Sequence, residues 1–147
     1  MKTYSIIYPN EAPKHLDLLT IFRASPKTLL YFYPKDNTPG CTLEGQDFTR
    51  LASEFLVKGV QIVGVSPDSS ESHIRFQGSC QIGLPLISDD GSLVEQFQVM
   101  GEKNMYGKKI FGLLRSSFLL DDTGKILQEW RKVRATGHAD KVLREIK

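Results

Sequence analysis

The chain has 147 residues, 40% hydrophobic and 24% charged, a composition typical of a folded globular protein with a real core. A formal net charge of +2 and the absence of a Lys/Arg block give no support for nucleic-acid binding. No apolar run approaches the roughly 18 residues of a membrane span, and the N-terminus lacks the apolar core of a secretory signal. We therefore expect one domain over residues 1–147, in the cytoplasm, because two cysteines are too few for a disulfide framework.

The hydrophobic pattern is weak in the first residues of the chain and becomes clear from residue 29 onward. Residues 4–8 predict a short edge strand, whereas the apolar residues between 15 and 22 are too dense to assign a period. Residues 29–33 form an apolar run that is typical of a buried strand. Pro34 ends this strand, because proline has no N–H to donate to a sheet.

A helix is predicted after a short polar loop. Thr38 suits the N-cap and Pro39 the first helical position, so Cys41 is the third helical residue. An N-cap oxygen usually accepts from the second or third helical N–H, and we therefore expect the Thr38 hydroxyl beside Cys41. Free N–H groups and the positive helix end favour a thiolate over a thiol. Local rules thus make Cys41 a placed nucleophile, the alternative being an inert buried cysteine.

The remaining elements alternate between strands and helices. A β-branched run at 60–65 predicts a central strand covered on both faces, and a helix should follow from about 69 to 80. After these come a strand at 85–87, a helix at 92–97, a loop at 100–112, strands at 116–120 and 125–133, and a helix at 139–146. This order predicts an α/β fold of the thioredoxin-like type, with a central mixed β-sheet flanked by helices.

A short motif around Cys41 resembles a known family. Pro34, Thr38 and Cys41 match the P-x-x-x-T-x-x-C signature of peroxiredoxins, and YFYPKDNTPGCTLE resembles their bacterioferritin-comigratory, or PrxQ, branch. The resemblance covers about residues 28–147, whereas residues 1–27 diverge from the family pattern. It implies a thiol-dependent peroxidase that reduces hydrogen peroxide and organic hydroperoxides, with Cys41 as the peroxidatic cysteine that becomes a sulfenic acid.

The same resemblance implies roles for four further residues. Arg115 opens a segment, RSSFLLD, that is similar to the family's R-x-T/S-F-x-x-D strand, which implies an active-site arginine that stabilises the thiolate and binds peroxide. The Thr38 hydroxyl is expected to donate in the transition state, and Pro34 to shield the sulfur from water. Glu44 either orients Arg115 or is simply a first-turn glutamate favoured by the helix dipole.

The recycling step is left open by the sequence. Many members of the branch carry a resolving cysteine five residues after the first, but here that residue is Gln46. Others place it on the next helix, where Cys80 lies about one turn beyond the usual position. Cys80 is therefore a candidate resolving cysteine, the alternative being that it packs in the core while an external thiol reduces Cys41.

The expected partners follow from the resemblance. It implies a peroxide substrate, thioredoxin or a low-molecular-weight thiol as reductant, a monomer, and no cofactor. The three histidines and two cysteines show no metal-ligand spacing. A thioredoxin-type disulfide reductase would need Cys-x-x-Cys, but residue 44 is Glu. A peroxide sensor or holdase module would share the first oxidation but lack efficient turnover.

Overall fold

The computed structural model describes residues 2–147 and places nine strands and five helices in them. The strands are β1 (Tyr4–Ile7), β2 (Lys14–Leu16), β3 (Lys27–Phe32), β4 (Val60–Ser66), β5 (Leu86–Ser88), β6 (Met100–Met105), β7 (Lys108–Leu113), β8 (Ser116–Asp121) and β9 (Ile126–Trp130). The helices are α1 (Leu18–Phe22), α2 (Pro39–Val57), α3 (Ser70–Cys80), α4 (Ser92–Gln96) and α5 (His138–Glu145).

Seven strands form one mixed sheet, in the order β2-β1-β5-β4-β3-β8-β9. The central strands β5, β4 and β3 are parallel neighbours, and β8 returns antiparallel to β3. The predicted α/β fold of the thioredoxin-like type, with a mixed sheet, is confirmed. So is the expectation that residues 60–65 form a central strand covered on both faces.

Alternation along β3 explains the two layers of helices. Leu29 and Tyr31 point to a core shared with α2, α3 and α5, whereas Leu30 and Phe32 point to a core shared with α1 and α4. All four side chains are at most 1% exposed. A run of consecutive apolar residues in a strand is stable only between two covering layers, and the segment 29–32 of β3 therefore requires helices on both faces.

The N-terminal expectation needs a correction. We expected an edge strand at residues 4–8, but β1 lies between β2 and β5, so β2 is the edge. The turn between β1 and β2 contains no glycine. Asn10 adopts φ = 63° there, in the left-handed region that asparagine tolerates better than most residues.

The prediction of a loop at residues 100–112 is also wrong, because β6 and β7 pair as an antiparallel hairpin. Met105 pairs with Lys108 across a two-residue turn, in which Tyr106 and Gly107 have φ of 52° and 77°. Positive φ at both positions suits a tight hairpin, but Tyr-Gly is not the usual Asn-Gly signal. Most of this hairpin is exposed, so no buried face imposed an alternating pattern on its sequence.

Replacement of Gly64 by alanine tests the packing beneath the central strand. An added Cβ would lie 2.7 Å from Leu86 Cδ2 and 3.0 Å from the Tyr31 hydroxyl, in a region without free space. We expect Gly64→Ala to lower the free energy of unfolding by about 1–3 kcal/mol in a urea titration.

Gly78→Ala is the matched control. Gly78 lies in the exposed interior of α3, and nothing stands within 4 Å of an added Cβ. Alanine should therefore raise the free energy of unfolding by about 0.5–1 kcal/mol. Equal effects at the two positions would contradict this account of the core.

Candidate active site

Cys41 lies at the start of α2, just beyond the C-terminal end of β3. Thr38 is the N-cap, Pro39 is the first helical residue and the Thr42 N–H donates to the Thr38 carbonyl at 2.9 Å, as expected. The Cys41 side chain is only 1% exposed. Its sulfur is therefore covered by neighbouring residues and does not lie on the open surface.

The Thr38 hydroxyl does not make the bond that we expected. It donates to the Lys35 carbonyl at 2.9 Å, and no side-chain cap is formed with α2. The hydroxyl thus closes the loop of residues 35–38 on itself. Thr38 nevertheless lines the cleft above Cys41, so it lies at the site through the position of its residue and not through a capping bond.

Arg115 joins Cys41 to Glu44. Its Nη2 donates to the Cys41 Sγ at 3.4 Å, and its Nη1 donates to Glu44 Oε1 at 2.5 Å. Phe32 pairs with Ser116, so Arg115, one position before β8, stands beside the chain as it leaves β3. A planar guanidinium offers several donors in a fixed geometry, and one arginine therefore serves both groups.

The electrostatics of this cluster are those of a buried pair. Glu44 is fully buried, and burial raises its pKa to about 7 against the opposing effect of Arg115. Its second oxygen, Oε2, has no hydrogen-bond partner among residues 2–147. Burial lowers the pKa of the Arg115 guanidinium, but Glu44 and Cys41 together raise it more. The pKa of Arg115 therefore lies above its ordinary value. A cation held against the sulfur stabilises the thiolate form.

The cleft in front of this cluster has a volume of about 610 Å³. Pro34 and Thr38 form part of one wall, and Leu113 and Leu114 from the end of the β6–β7 hairpin form part of another. Gly40 also lines the cleft and packs closely against the arginine, since an added Cβ at this position would stand 3.2 Å from Arg115 Nη2. The predicted residues Pro34, Thr38, Cys41, Glu44 and Arg115 are therefore brought together.

Cys80 lies at the last residue of α3, half-buried, and faces the same loop. Its Sγ donates to Asn37 Oδ1 at 3.2 Å, and Gln46 Nε2 donates to its carbonyl at 3.0 Å. Cys41 and Cys80 are both free thiols. The residue at the common resolving position, Gln46, thus holds the end of the helix that carries the second cysteine.

A buried network beside the site was missed at the sequence level. Asp36 accepts from the Tyr33 hydroxyl at 2.7 Å, from the Ser72 hydroxyl at 2.8 Å and from His73 Nδ1 at 2.8 Å. The other ring nitrogen of His73, Nε2, lies 3.0 Å from the Ile87 carbonyl. Hydrogen bonds from His73 and Tyr33 lower the pKa of Asp36 although burial opposes this. Nothing in the spacing of Asp36 and His73, 37 residues apart, signals their contact.

Two absences hold for the described part of the chain. Residues 2–147 contain no group of three or more His, Cys, Asp or Glu side chains arranged to hold a metal ion. Within the same residues, no helix is both long enough and apolar enough to cross a membrane.

Comparison with known proteins agrees with this geometry. A family model described as the AhpC/TSA family matches residues 8–129. Peroxiredoxin Bcp of Xanthomonas campestris is 52% identical over 120 residues, which cover 81% of this chain and 75% of that protein.

Two solved structures extend the similarity to the fold. The bacterioferritin comigratory protein of Xanthomonas campestris, studied for its alkyl peroxide reduction activity, superposes with a TM-score of 0.79 at 44% identity, covering 97% of this chain and 87% of that one. A cysteine-to-serine mutant of Xylella fastidiosa PrxQ gives a TM-score of 0.82 at 36% identity, covering 97% of this chain and 86% of that one.

The fold and the thiol–guanidinium cluster define a thiol peroxidase of the thioredoxin-like class. The chain belongs to the AhpC/TSA family and, within it, to the Bcp/PrxQ branch of the peroxiredoxins.

The buried carboxyl of Glu44 predicts a pH dependence of stability. Its ordinary pKa of 4.5 rises to about 7 on folding, so between these pH values the folded chain holds a proton that the unfolded chain has released. The contribution of Glu44 to stability must therefore fall as pH rises through this window. Glu44→Gln lacks the ionisable group. We expect the unfolding free energy of the unmodified chain, relative to the variant, to decrease from about pH 4.5 to 7 in urea titrations.

The difference between the two proteins isolates Glu44, since every other titrating group is common to both. A difference that stays constant or increases with pH would contradict the raised pKa.

Proposed function

We propose that Cys41 is the peroxidatic residue of this thiol peroxidase and that Arg115, Glu44, Thr38 and Pro34 form its active site. The observation that carries the proposal is the hydrogen bond from Arg115 Nη2 to the Cys41 Sγ. It places a fixed cation at a buried thiol, and the same arginine lines a cleft large enough for an organic peroxide.

The reaction then proceeds by nucleophilic displacement. The Cys41 thiolate attacks one peroxide oxygen, the S–O bond forms and the O–O bond breaks, and the product is a Cys41 sulfenic acid. The other oxygen leaves as hydroxide or alkoxide and takes a proton from water. Negative charge spreads from sulfur to both oxygens in the transition state, so the Arg115 donors stabilise it more than the ground state. Glu44 orients the guanidinium.

Recycling proceeds through Cys80 in the two-cysteine form of this proposal. The Cys80 sulfur attacks the sulfenic sulfur, water leaves, and a Cys41–Cys80 disulfide forms. The bond from Cys80 Sγ to Asn37, four residues before Cys41, supports this role. Cys41 is buried within the first turn of α2, so this turn must unwind before a disulfide can form. In the one-cysteine form, an external thiol attacks Cys41 directly.

The cellular setting belongs to the same proposal. We assign the protein to the cytoplasm as a monomer, with thioredoxin or a small thiol as its reductant and with both hydrogen peroxide and organic hydroperoxides as substrates. Alkyl peroxide reduction, studied in the similar Xanthomonas protein, and the apolar wall of the cleft support the organic class.

The test is intact mass and non-reducing peptide mapping after one equivalent of hydrogen peroxide. It compares the unmodified chain with Cys41→Ser and Cys80→Ser. We expect a loss of two hydrogens and a Cys41–Cys80 peptide pair in the unmodified chain, and an accumulated sulfenic acid in Cys80→Ser. Cys41→Ser should take up no oxygen, because the nucleophile is gone.

The outcomes separate the alternatives. An unlinked sulfenic acid at Cys41 that persists whether or not Cys80 is present makes the enzyme a one-cysteine peroxidase. Oxidation of Cys41 without recycling by thioredoxin, dithiothreitol or glutathione favours the sensor. No oxidation of Cys41 overturns the proposal.

Arg115→Lys tests the role of the guanidinium. Lysine keeps the charge but loses the planar fork that contacts both Cys41 and Glu44. We expect the second-order rate of Cys41 oxidation in stopped flow to fall by about 10²- to 10³-fold. Arg50→Lys, on the exposed face of α2, is the control and should leave the rate unchanged. A rate for Arg115→Lys within about threefold of the unmodified chain would show that charge alone suffices.

A further inference from the structure

The cleft above Cys41 adjoins a second recess with a different chemical character. Lys103, Lys132 and Val133 line both cavities, so the two spaces are neighbours that share one wall. The recess has a volume of about 570 Å³ and is also lined by Lys109, Arg134, Asn104 and Glu102. We call Lys103 and Lys132, which stand where the two spaces meet, the basic rim.

Lys132 is fixed to the catalytic arginine through the backbone. The next residue, Val133, donates its N–H to the Arg115 carbonyl at 2.9 Å, and the Lys132 N–H lies 3.4 Å from Ser116 Oγ. Lys132 has φ = 52°, in the left-handed region that a lysine rarely adopts. The backbone therefore holds a strained conformation at the one residue that places a cation beside the cleft from this side.

Lys103 reaches the rim from the β6–β7 hairpin. Its Nζ donates to the Leu113 carbonyl at 3.0 Å, which holds the ammonium across the hairpin, against the wall of the cleft. An ammonium has three N–H donors, so two remain for another acceptor. Among residues 2–147, neither Lys103 nor Lys132 has a carboxylate within 4 Å. The acidic side chain that lines the recess is Glu102, and it leaves an excess of positive charge there.

Besides Lys35 and Thr38, the lining of the cleft includes a set of apolar residues: Pro34, Met105, Leu113, Leu114 and Val133. The site thus presents three kinds of group: the Arg115 guanidinium that contacts the Cys41 thiol, apolar side chains and the ammonium groups of the basic rim. A molecule that meets all three carries a hydroperoxide, an apolar body and a negative charge.

We propose that the basic rim makes this enzyme prefer organic hydroperoxides that carry a carboxylate over neutral hydroperoxides of the same shape. The carboxylate binds Lys103 and Lys132, the apolar body lies against Leu113 and Val133, and the peroxide group meets Cys41 and Arg115. Attraction by unpaired cations raises the encounter rate of an anion and is weakened by salt. The inference rests on the proposed role of Cys41.

The experiment measures single-turnover oxidation of Cys41 by stopped flow, on pre-reduced protein with no reductant present. The probes are cumene hydroperoxide, its para-carboxylate and the methyl ester of that carboxylate, at about 20 and 300 mM salt. The ester matches the carboxylate in size without its charge. At low salt we expect a rate at least about tenfold higher for the carboxylate than for the ester, and a smaller ratio at high salt.

The double variant Lys103→Gln/Lys132→Gln should bring the ratio of carboxylate to ester close to one. Both probes react with the same Cys41 thiol, so this ratio is independent of any general change in the reactivity of the thiol. The control carries the same change in net charge far from the cleft. Lys58→Gln/Lys125→Gln alters the far end of α2 and the turn after β8, and should keep the preference.

Three results would overturn the inference. These are equal rates for carboxylate and ester, a preference that survives the double variant, and, in a separate assay of the oxidised protein, a double variant that slows only reduction by an acidic protein dithiol. The last result would make the basic rim a docking surface for the reductant. A failure of hydrogen peroxide to oxidise Cys41 would instead refute the proposed function, and the two failures are therefore distinguishable.

Discussion

A guanidinium between a buried carboxyl group and a buried sulfur is the interaction on which this candidate active site depends. Arg115 comes from the position just before β8, and Cys41 and Glu44 come from the first turns of α2. These elements meet because β8 pairs with β3 and α2 follows β3 along the chain. A buried charge without a partner would destabilise the fold, so the pair constrains both elements at once. The geometry of the candidate site and the stability of the fold are thus coupled at Arg115.

Much of the site could be predicted because its signals are local. The N-cap position of Thr38, the first-turn proline and the third-residue cysteine follow from rules that act within one turn of helix. The position of Arg115 came from a resemblance, because no local rule relates residues 74 positions apart. The Thr38 hydroxyl was misplaced because, in the folded loop, it donates to the Lys35 carbonyl and makes no cap bond with a helical N–H.

The two features that were not predicted from the sequence, the β6–β7 hairpin and the Asp36–His73 contact, have a common physical origin. The β6–β7 hairpin is exposed on most of its surface, so burial left no periodicity in its sequence, and Tyr106 at its turn is 99% exposed. The Asp36–His73 contact depends on tertiary packing alone. Neither feature leaves a signal in propensity or periodicity: the hairpin has no buried face, and the two residues of the contact are 37 positions apart. The fold class and the position of Cys41 at the start of α2 were therefore predictable, and the surroundings of the cleft were not.

The Asp36–His73 network has a mechanical consequence. It ties the loop that precedes Cys41 to the first half of α3, while Gln46 and Asn37 contact Cys80 at the other end of this helix. The loop and α3 therefore form a single cooperative unit. If the first turn of α2 opens, the opening is bounded on the N-terminal side by an anchored loop and does not spread into the sheet. The first turn of α2 thus follows a loop that is held in place by the buried hydrogen bonds of Asp36.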